Sequence, residues 1–462
     1  MKVKTIPSAW MRRDGRRFDC GPYMSGALEA KIRLEELECR KDRLADLTAG
    51  HAGGIYNGPQ FVRNFVDDPE HGVPFLGTSS MLRADLSDLP LLRKRDAVSA
   101  KLSYLRVAPG MTLISCSGTI GRMVYVRPDM AGMWSNQDIL KVVPNERVPA
   151  GYIYAFLSSK FGVPLVTSGT YGAIIQHIEP GHIAELPVPR LGDEVEREAH
   201  RLVEEAARLR ATATTELSNV AAAFDALLPT AGTSKQTPRI TTVSSSQIQT
   251  RFDAQYHDPD VQRVRNALKG KRHTTIGDFC STVFLPGIFK RIHIDDPAHG
   301  APYFTGASLF WLEPIPKGIL SRRTKLYDDV ELHADTILVQ AFGQDGGITG
   351  RAVWVGRHLD RATSTHMLCR LRTSERARTA YLFGFLNSKA AQTQIRVLTY
   401  GGSIPHFDEA GISTVVVPLL GDDVHVDAIG KRVLRALDGR DDALALERQA
   451  RALVERAIEE AA

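Results

Sequence analysis

At 462 residues, with 43% hydrophobic and 24% charged residues, the chain is long enough for two or more domains and too ordinary in composition for wholesale disorder. Its formal charge of +5 permits a nucleic-acid partner without demanding one. Cys20, Cys39, Cys116, Cys280 and Cys369 are scattered, which disfavours a disulfide framework or a zinc site and suits a reducing cytoplasm; no apolar run approaches the roughly 18 residues that span a bilayer.

Residues 1–17 are polar and basic, without the apolar stretch of a signal peptide. An opening segment over about 17–60 leads into short β-prone runs (105–107, 112–115, 123–126) broken by Gly and Pro, the pattern of an α/β domain with many short strands. Residues 152–160 read as a helix with aromatic and aliphatic side chains on one face. Leu-Pro-Val-Pro at 186–189 stops the preceding strand. From Asp193 the positions Val195, Ala199, Leu202, Ala206, Leu209 and Ala213 alternate steps of four and three. After a break at Glu216 the seam resumes at Val220, Phe224 and Leu227. Residues 229–250 are rich in Ser, Thr, Pro and Gln and read as a linker. The same grammar then repeats: an opening segment (251–288), strands at 336–340 and 352–355, a helix at 381–389, and Val-Val-Pro-Leu at 416–419. A final helical stretch, 422–461, carries Val426, Ile429, Val433 and Leu437, then Leu446, Ala450, Leu453 and Ala457, with Gly439 expected to split or kink it.

The repetition extends to residues. Arg17-Phe18-Asp19 returns as Arg251-Phe252-Asp253, and Asp67-Asp68-Pro69 as Asp295-Asp296-Pro297. Gly118-Thr119-Ile120-Gly121-Arg122 returns as Gly347-Ile348-Thr349-Gly350-Arg351, and Thr170-Tyr171-Gly172 as Thr399-Tyr400-Gly401. Positions 121 and 350, 152 and 381, and 171 and 400 are each 229 apart, so a whole folded domain is used twice. The expected fold is mixed α/β (α+β). Its domains are 1–190 and 251–419, with a central helix at 191–228, a linker at 229–250 and a C-terminal helix at 420–462. The two long helices either pack each on its own domain or pair with each other as an antiparallel coiled coil with pseudo-two-fold symmetry. Their similar length and matched placement favour pairing.

The search for reaction chemistry is negative: no phosphate loop, no His-Glu-x-x-His, no Gly-x-Ser-x-Gly and no Pro-Pro pair. Asp19 with Glu29 and Lys31 has no counterpart in the second copy and is rejected as a nuclease cluster. His71, His177, His299 and His406 recur without a recurring nucleophile beside them, which suits hydrogen-bonded structural roles better than catalysis. What recurs is Gly, aromatic, Thr and Arg. The expectation is a DNA-binding face on which the two glycine turns present Thr119, Arg122, Thr349 and Arg351, since Arg suits guanine edges and phosphates. Arg63, Arg93, Lys94, Arg95 and Lys101 would add charge in the first copy, and Lys290, Arg291, Arg322, Arg323 and Lys325 in the second. Such runs are as often plain solvated surface. Recurrence tips the reading toward binding. Positions that differ between copies would carry specificity, namely Asn136 and Gln137 against Thr365 and His366, and Ala173 against Gly402 and Ile174 against Ser403. Tyr171 and Tyr400 join the set. A nuclease and a protein-interaction scaffold that touches no DNA are the competing classes.

The order domain, helix, domain, helix, with Ile114-Ser115-Cys116-Ser117-Gly118-Thr119-Ile120-Gly121-Arg122, Phe156-Leu157-Ser158-Ser159, Phe385-Leu386-Asn387-Ser388 and Leu186-Pro187-Val188-Pro189, resembles the specificity subunits of type I restriction-modification systems. The resemblance implies two target-recognition domains, each reading half of a bipartite double-stranded DNA site in the major groove. Paired helices would fix the gap and dock two adenine-specific DNA methyltransferase subunits, and a restriction/translocase subunit would complete the system. It also implies a non-catalytic, cytoplasmic chain without cofactor or metal. S-adenosylmethionine and ATP would be used only by partner subunits. The Gly-Ile-Thr-Gly order in the second copy departs from the family pattern, as do the opening Arg-Phe-Asp segments, which look more like recognition domains of divergent members, including those of other phage-defence systems.

Overall fold

A computed structural model describes residues 3–13, 21–168, 177–228, 242–245, 248, 251–344 and 347–461. Arg17-Phe18-Asp19, Tyr171 with Ala173 and Ile174, and most of the 229–250 linker lie outside the described residues. The chain divides into a first unit, Met1–Ala211 with Asp442–Ala462, and a second, Thr212–Asp441.

In the first unit, β1 (Lys41–Arg43) precedes β2 (Ile55–Tyr56), β3 (Phe65–Val66), β4 (Gly72–Leu76), β5 (Leu91–Arg93), β6 (Thr112–Ser115), β7 (Met123–Tyr125), β8 (Trp134–Ser135), β9 (Ile139–Val142) and β10 (Pro187–Pro189). They form sheets ordered β2-β9-β6-β7 and β3-β5-β4-β8, plus the pair β1-β10. Among the described strands of this unit only β4 and β8 run parallel. One face of the first sheet (Ile114, Leu140, Val142) joins the core with helix α1 (Ala150–Leu157) and the start of helix α2 (Asp193–Asp225). Phe75, Leu92, Leu105 and Trp134 form a smaller core at the second sheet. The prolines fit because β10 meets only β1, where a missing N–H costs little. The Tyr152 hydroxyl donates to the Pro189 carbonyl and ties α1 to that pair.

The second unit repeats this plan with β11 (His273–Thr275), β12 (Thr282–Phe284), β13 (His293–Ile294), β14 (Gly300–Phe304), β15 (Gly318–Ser321), β16 (Ile337–Gln340), β17 (Ala352–Trp354), β18 (Thr363–Ser364), β19 (Leu368–Arg372) and β20 (Val416–Pro418). The orders β12-β19-β16-β17 and β13-β15-β14-β18 match strand for strand, and β14-β18 is again the parallel pair. Helix α3 (Arg376–Leu386) stands where α1 stood, and Tyr381 donates to Pro418 at 2.7 Å. One difference matters. Register partners Thr112 and Tyr125 are 13 residues apart, whereas Ile337 and Trp354 are 17 apart, so the second β6–β7-type turn is four residues longer.

The last helix, α4 (Asp423–Glu460), is unbroken. The expected interruption at Gly439 is therefore corrected: a Cβ there would meet nothing, and one glycine costs only about 1 kcal/mol against a helix held by its packing. At Glu216, where the apolar seam was expected to break within one helix, α2 runs on and the next residue, Leu217, is the buried one. In the first unit Ala199, Leu202, Val203 and Ala207 of α2 share a core with Ala450, Val454 and Ile458 of α4. In the second, Ala213, Leu217, Val220 and Phe224 share one with Val426, Val433, Ala436 and Leu437. Each unit by itself pairs opposite ends of the two helices, as an antiparallel arrangement requires. The reading in which each helix serves only the domain before it does not hold. The seam also differs in detail: Val454 and Ile458 are buried where Leu453 and Ala457 were expected.

Candidate nucleic-acid interface

The two glycine turns are the same structure with an insertion. In the first, the Ser115 N–H donates to the Arg122 carbonyl (2.8 Å) and the Gly121 N–H to the Ser115 carbonyl (3.0 Å). In the second, Gln340 donates to Arg351 (2.9 Å) and Gly350 to Gln340 (2.8 Å). Gly121 and Gly350 both sit at positive φ, 77° and 81°. The register equates Thr119 with Ile348 and Ile120 with Thr349. Thr119 is exposed, but Thr349 takes the inward position and is 8% exposed. The expectation that this threonine faces a ligand is corrected: exchanging Thr and Ile within the turn exchanges which one points out. Arg122 and Arg351 are half-buried at the foot of the turns.

The basic residues fall into two kinds. Arg93 is paired with Asp96 at 2.9 Å, and Arg322 donates to the Ala298 carbonyl at 2.9 Å. Arg63, Lys94, Arg95 and Lys101 in the first unit, and Lys290, Arg291, Arg323 and Lys325 in the second, are exposed and make no ion pair with a described residue.

Arg63 and Arg291 are the best placed. The Arg63 guanidinium lies 5.8 Å from the centroid of Phe75 on β4, and its Nη2 donates to Oε1 of Gln137 at 3.1 Å. Arg291 lies 5.5 Å from Tyr303 at the equivalent place on β14, and its Nε donates to the Tyr303 hydroxyl at 2.6 Å. An arginine held over an aromatic ring is pre-ordered, so less side-chain entropy is lost on binding. The residue beside it is Gln137 in one unit and His366 in the other. His366 is 7% exposed, with its Nδ1 unpartnered. Burial, reinforced by Arg291 and Arg370, holds its pKa below the ordinary imidazole value. This specificity candidate therefore lies largely inside the fold. Asn136 is also buried and donates to Thr78 Oγ1 at 3.3 Å, so it braces the segment.

Each unit also buries a cation that sequence reading did not single out. Lys141 on β9 is fully buried, donates to the Ile139 carbonyl at 2.9 Å and sits 5.7 Å from the Tyr56 ring. Burial pushes its pKa down to about 7. Arg370 occupies the same place on β19, with Nη1 donating to Leu368 at 2.7 Å and Nη2 to Ser364 Oγ at 3.3 Å; burial lowers its pKa to about 10. Both lie on the sheet face opposite the helix core, beside Ile139 and Leu368 respectively. In the second unit a ring ladder continues outward: His366 to Phe342 (5.7 Å), Phe342 stacked on His406 (4.6 Å), and His406 to Tyr400 (4.9 Å). Tyr400 is partly exposed and donates to Asp408, while Ser403 lies exposed in the adjoining turn. Arg251 pins this turn by donating to the Leu398 and Thr399 carbonyls at 2.6 and 2.9 Å, so the recurring Arg-Phe-Asp segment is structural in this unit.

Nothing in this set resembles an activated nucleophile. Burial pushes the thiol of Cys116 up to about 11 and those of Cys280 and Cys369 to about 12. His71 and His299 sit in equivalent exposed turns, 3.7 and 3.8 Å from Asp68 and Asp296. No helix of the described residues is long and apolar enough to cross a membrane.

No protein-family profile and no curated protein matches the chain. Among solved structures it is similar to the type I restriction-modification S subunit from M. genitalium, at 12% identity over 92% of this chain and 96% of that one, with a TM-score of 0.31. It is also similar to the HsdS subunit from Thermoanaerobacter tengcongensis, at 12% identity over 91% and 96%, TM-score 0.27. A chain from a structure of type I R-M complex assembly is 14% identical over 91% and 97%, TM-score 0.27.

Proposed function

We propose that this chain is a non-catalytic, sequence-specific DNA reader that recognises a bipartite duplex, one half with each unit, as the specificity subunit of a type I restriction-modification or related phage-defence complex. The observation that carries the reading is the arginine held on an aromatic ring in both units, at the same place ahead of a strand and without a carboxylate partner among the described residues. An arginine so held presents paired donors that suit a phosphate or a guanine edge. That the neighbours diverge while the frame is kept suits two heads reading different half-sites. The long helices, each contributing to both units, would act as a spacer and as the docking surface for two adenine methyltransferase subunits. S-adenosylmethionine and ATP would belong to those subunits and to a restriction/translocase partner, in the cytoplasm.

Mapping methylated adenines genome-wide with and without the gene tests this. The expected result is loss of one bipartite motif in the deletion strain. An unchanged methylome, together with failure of the purified chain to bind duplex DNA in a salt-sensitive manner, would leave a protein-interaction scaffold as the better description.

A further inference from the structure

Just ahead of β3 and β13 the units carry one frame with different outer residues: Gln60-Phe61-Val62-Arg63 in the first and Ile288-Phe289-Lys290-Arg291 in the second. The second and fourth positions are kept and hold the segment. Phe61 packs edge-on against Phe75 at 6.1 Å, Phe289 is buried beside Tyr303, and each arginine lies on the ring already described. The first and third positions differ and point outward. Val62 is 80% exposed and Ile288 82% exposed, and Gln60 and Lys290 are exposed beside them. A single exposed aliphatic residue is unremarkable on any surface. Here one stands in each unit, on the same anchored frame, next to an arginine that no described carboxylate pairs with.

We propose that these four outer side chains determine base specificity, Gln60 with Val62 for one half-site and Ile288 with Lys290 for the other. This rests on the DNA-reading function proposed above. A glutamine amide offers the donor and acceptor that match adenine N6 and N7, a lysine ammonium suits guanine O6 and N7, and valine or isoleucine methyls pack on the thymine methyl. The first unit therefore reads an A·T pair at this place, and the second reads thymine close to guanine. Polar and apolar positions are reversed between the units, so the order of the contacted bases along each half-site reverses too. Arg63 and Arg291, fixed on their rings, supply the positive charge that brings the segment onto the duplex.

The test selects bound duplexes from a random-sequence pool with the full chain, the Gln60→Ile/Val62→Lys variant and the reciprocal Ile288→Gln/Lys290→Val variant. The first variant should change the first half-site toward the bases of the second and leave the other half intact, with binding to the parental site weakened on the order of tenfold. The reciprocal variant should do the converse. The intact half-site in each selection reports that the variant is folded. Unchanged motifs from both variants, or equal loss at both half-sites, would overturn the assignment while leaving DNA reading in place. A parental chain that selects no motif would instead remove the DNA-reading function itself.

Discussion

Gly121 and Gly350 occupy the left-handed region, where a Cβ costs roughly 1–2 kcal/mol before any contact is considered. A Cβ on Gly121 would lie 2.5 Å from Thr167 Cγ2, while one on Gly350 would lie 3.1 Å from Ile395 Cγ2. Gly121→Ala should therefore destabilise more than Gly350→Ala, by about 1 kcal/mol beyond the shared backbone cost, in chemical denaturation. Equal losses would mean that Thr167 moves aside freely. Lys141 makes a second, independent residue-scale prediction. Burial sets its folded pKa at about 7, against the ordinary value of 10.5. Between those values the unfolded chain binds the proton and the folded chain does not, so stability rises with pH through that window; below about 7 both states are charged and the penalty of burial is fully present. The stability of the parent relative to Lys141→Met should accordingly increase by roughly 1–3 kcal/mol from pH 7 to pH 9. Taking the difference cancels the tyrosines and cysteines. A flat difference would show that Lys141 stays protonated inside the fold.

Along the paired helices, one polar contact should matter and another should not. In the first unit Arg210 and Glu447 meet at 2.6 Å with both side chains only 5% exposed. Removing one partner leaves a buried charge alone, so Arg210→Met or Glu447→Gln should cost about 3–5 kcal/mol, and Arg210→Met/Glu447→Leu should recover most of it. In the second unit Glu216 and Arg432, at 3.0 Å but about 40% exposed, should lose no more than about 1 kcal/mol on Glu216→Gln. A double-mutant cycle in each unit checks both. The buried pair was invisible in the sequence because a heptad reading assigns the seam to apolar residues and passes over charges that satisfy each other inside it. The slip from Leu453 and Ala457 to Val454 and Ile458 has a related cause: these helices pack on a domain core as well as on each other, so the seam is wider than two positions in seven. The duplication itself was legible, since it rests on repeated residues at constant spacing and the strand orders agree. The four-residue insertion was not legible at residue level. The exchange of Gly-Thr-Ile-Gly for Gly-Ile-Thr-Gly was visible in one dimension, but not that Thr349 thereby takes the inward position. The arginine platforms were half legible: Arg63 and Arg291 stood out as charges, but their rings lie 12 residues away and are brought to them through pairing with β5 and β15.

Of the basic residues that the sequence points to, four in each unit are exposed and make no ion pair with a described residue, Arg63, Lys94, Arg95 and Lys101 in one and Lys290, Arg291, Arg323 and Lys325 in the other. On the proposed function, those away from the frame before β3 and β13 meet phosphates, which position a protein on DNA without carrying sequence information. Each neutralised phosphate contributes about 0.9 to the slope of log affinity against log salt. Replacing Lys94, Arg95 and Lys101 together by Ala should lower that slope by up to about 3, and Arg323→Ala/Lys325→Ala by up to about 2. Neither change should alter the selected motif, because no base contact is removed. Arg93 is the internal control: Asp96 already takes up its charge, so Arg93→Ala should leave the slope nearly unchanged. The titration is to be run on the full chain between about 50 and 200 mM salt, where contacts of this kind dominate the change in affinity. Affinity that falls in the multiple variants with no change of slope would place these residues away from the phosphates and confine DNA contact to the segments ahead of β3 and β13.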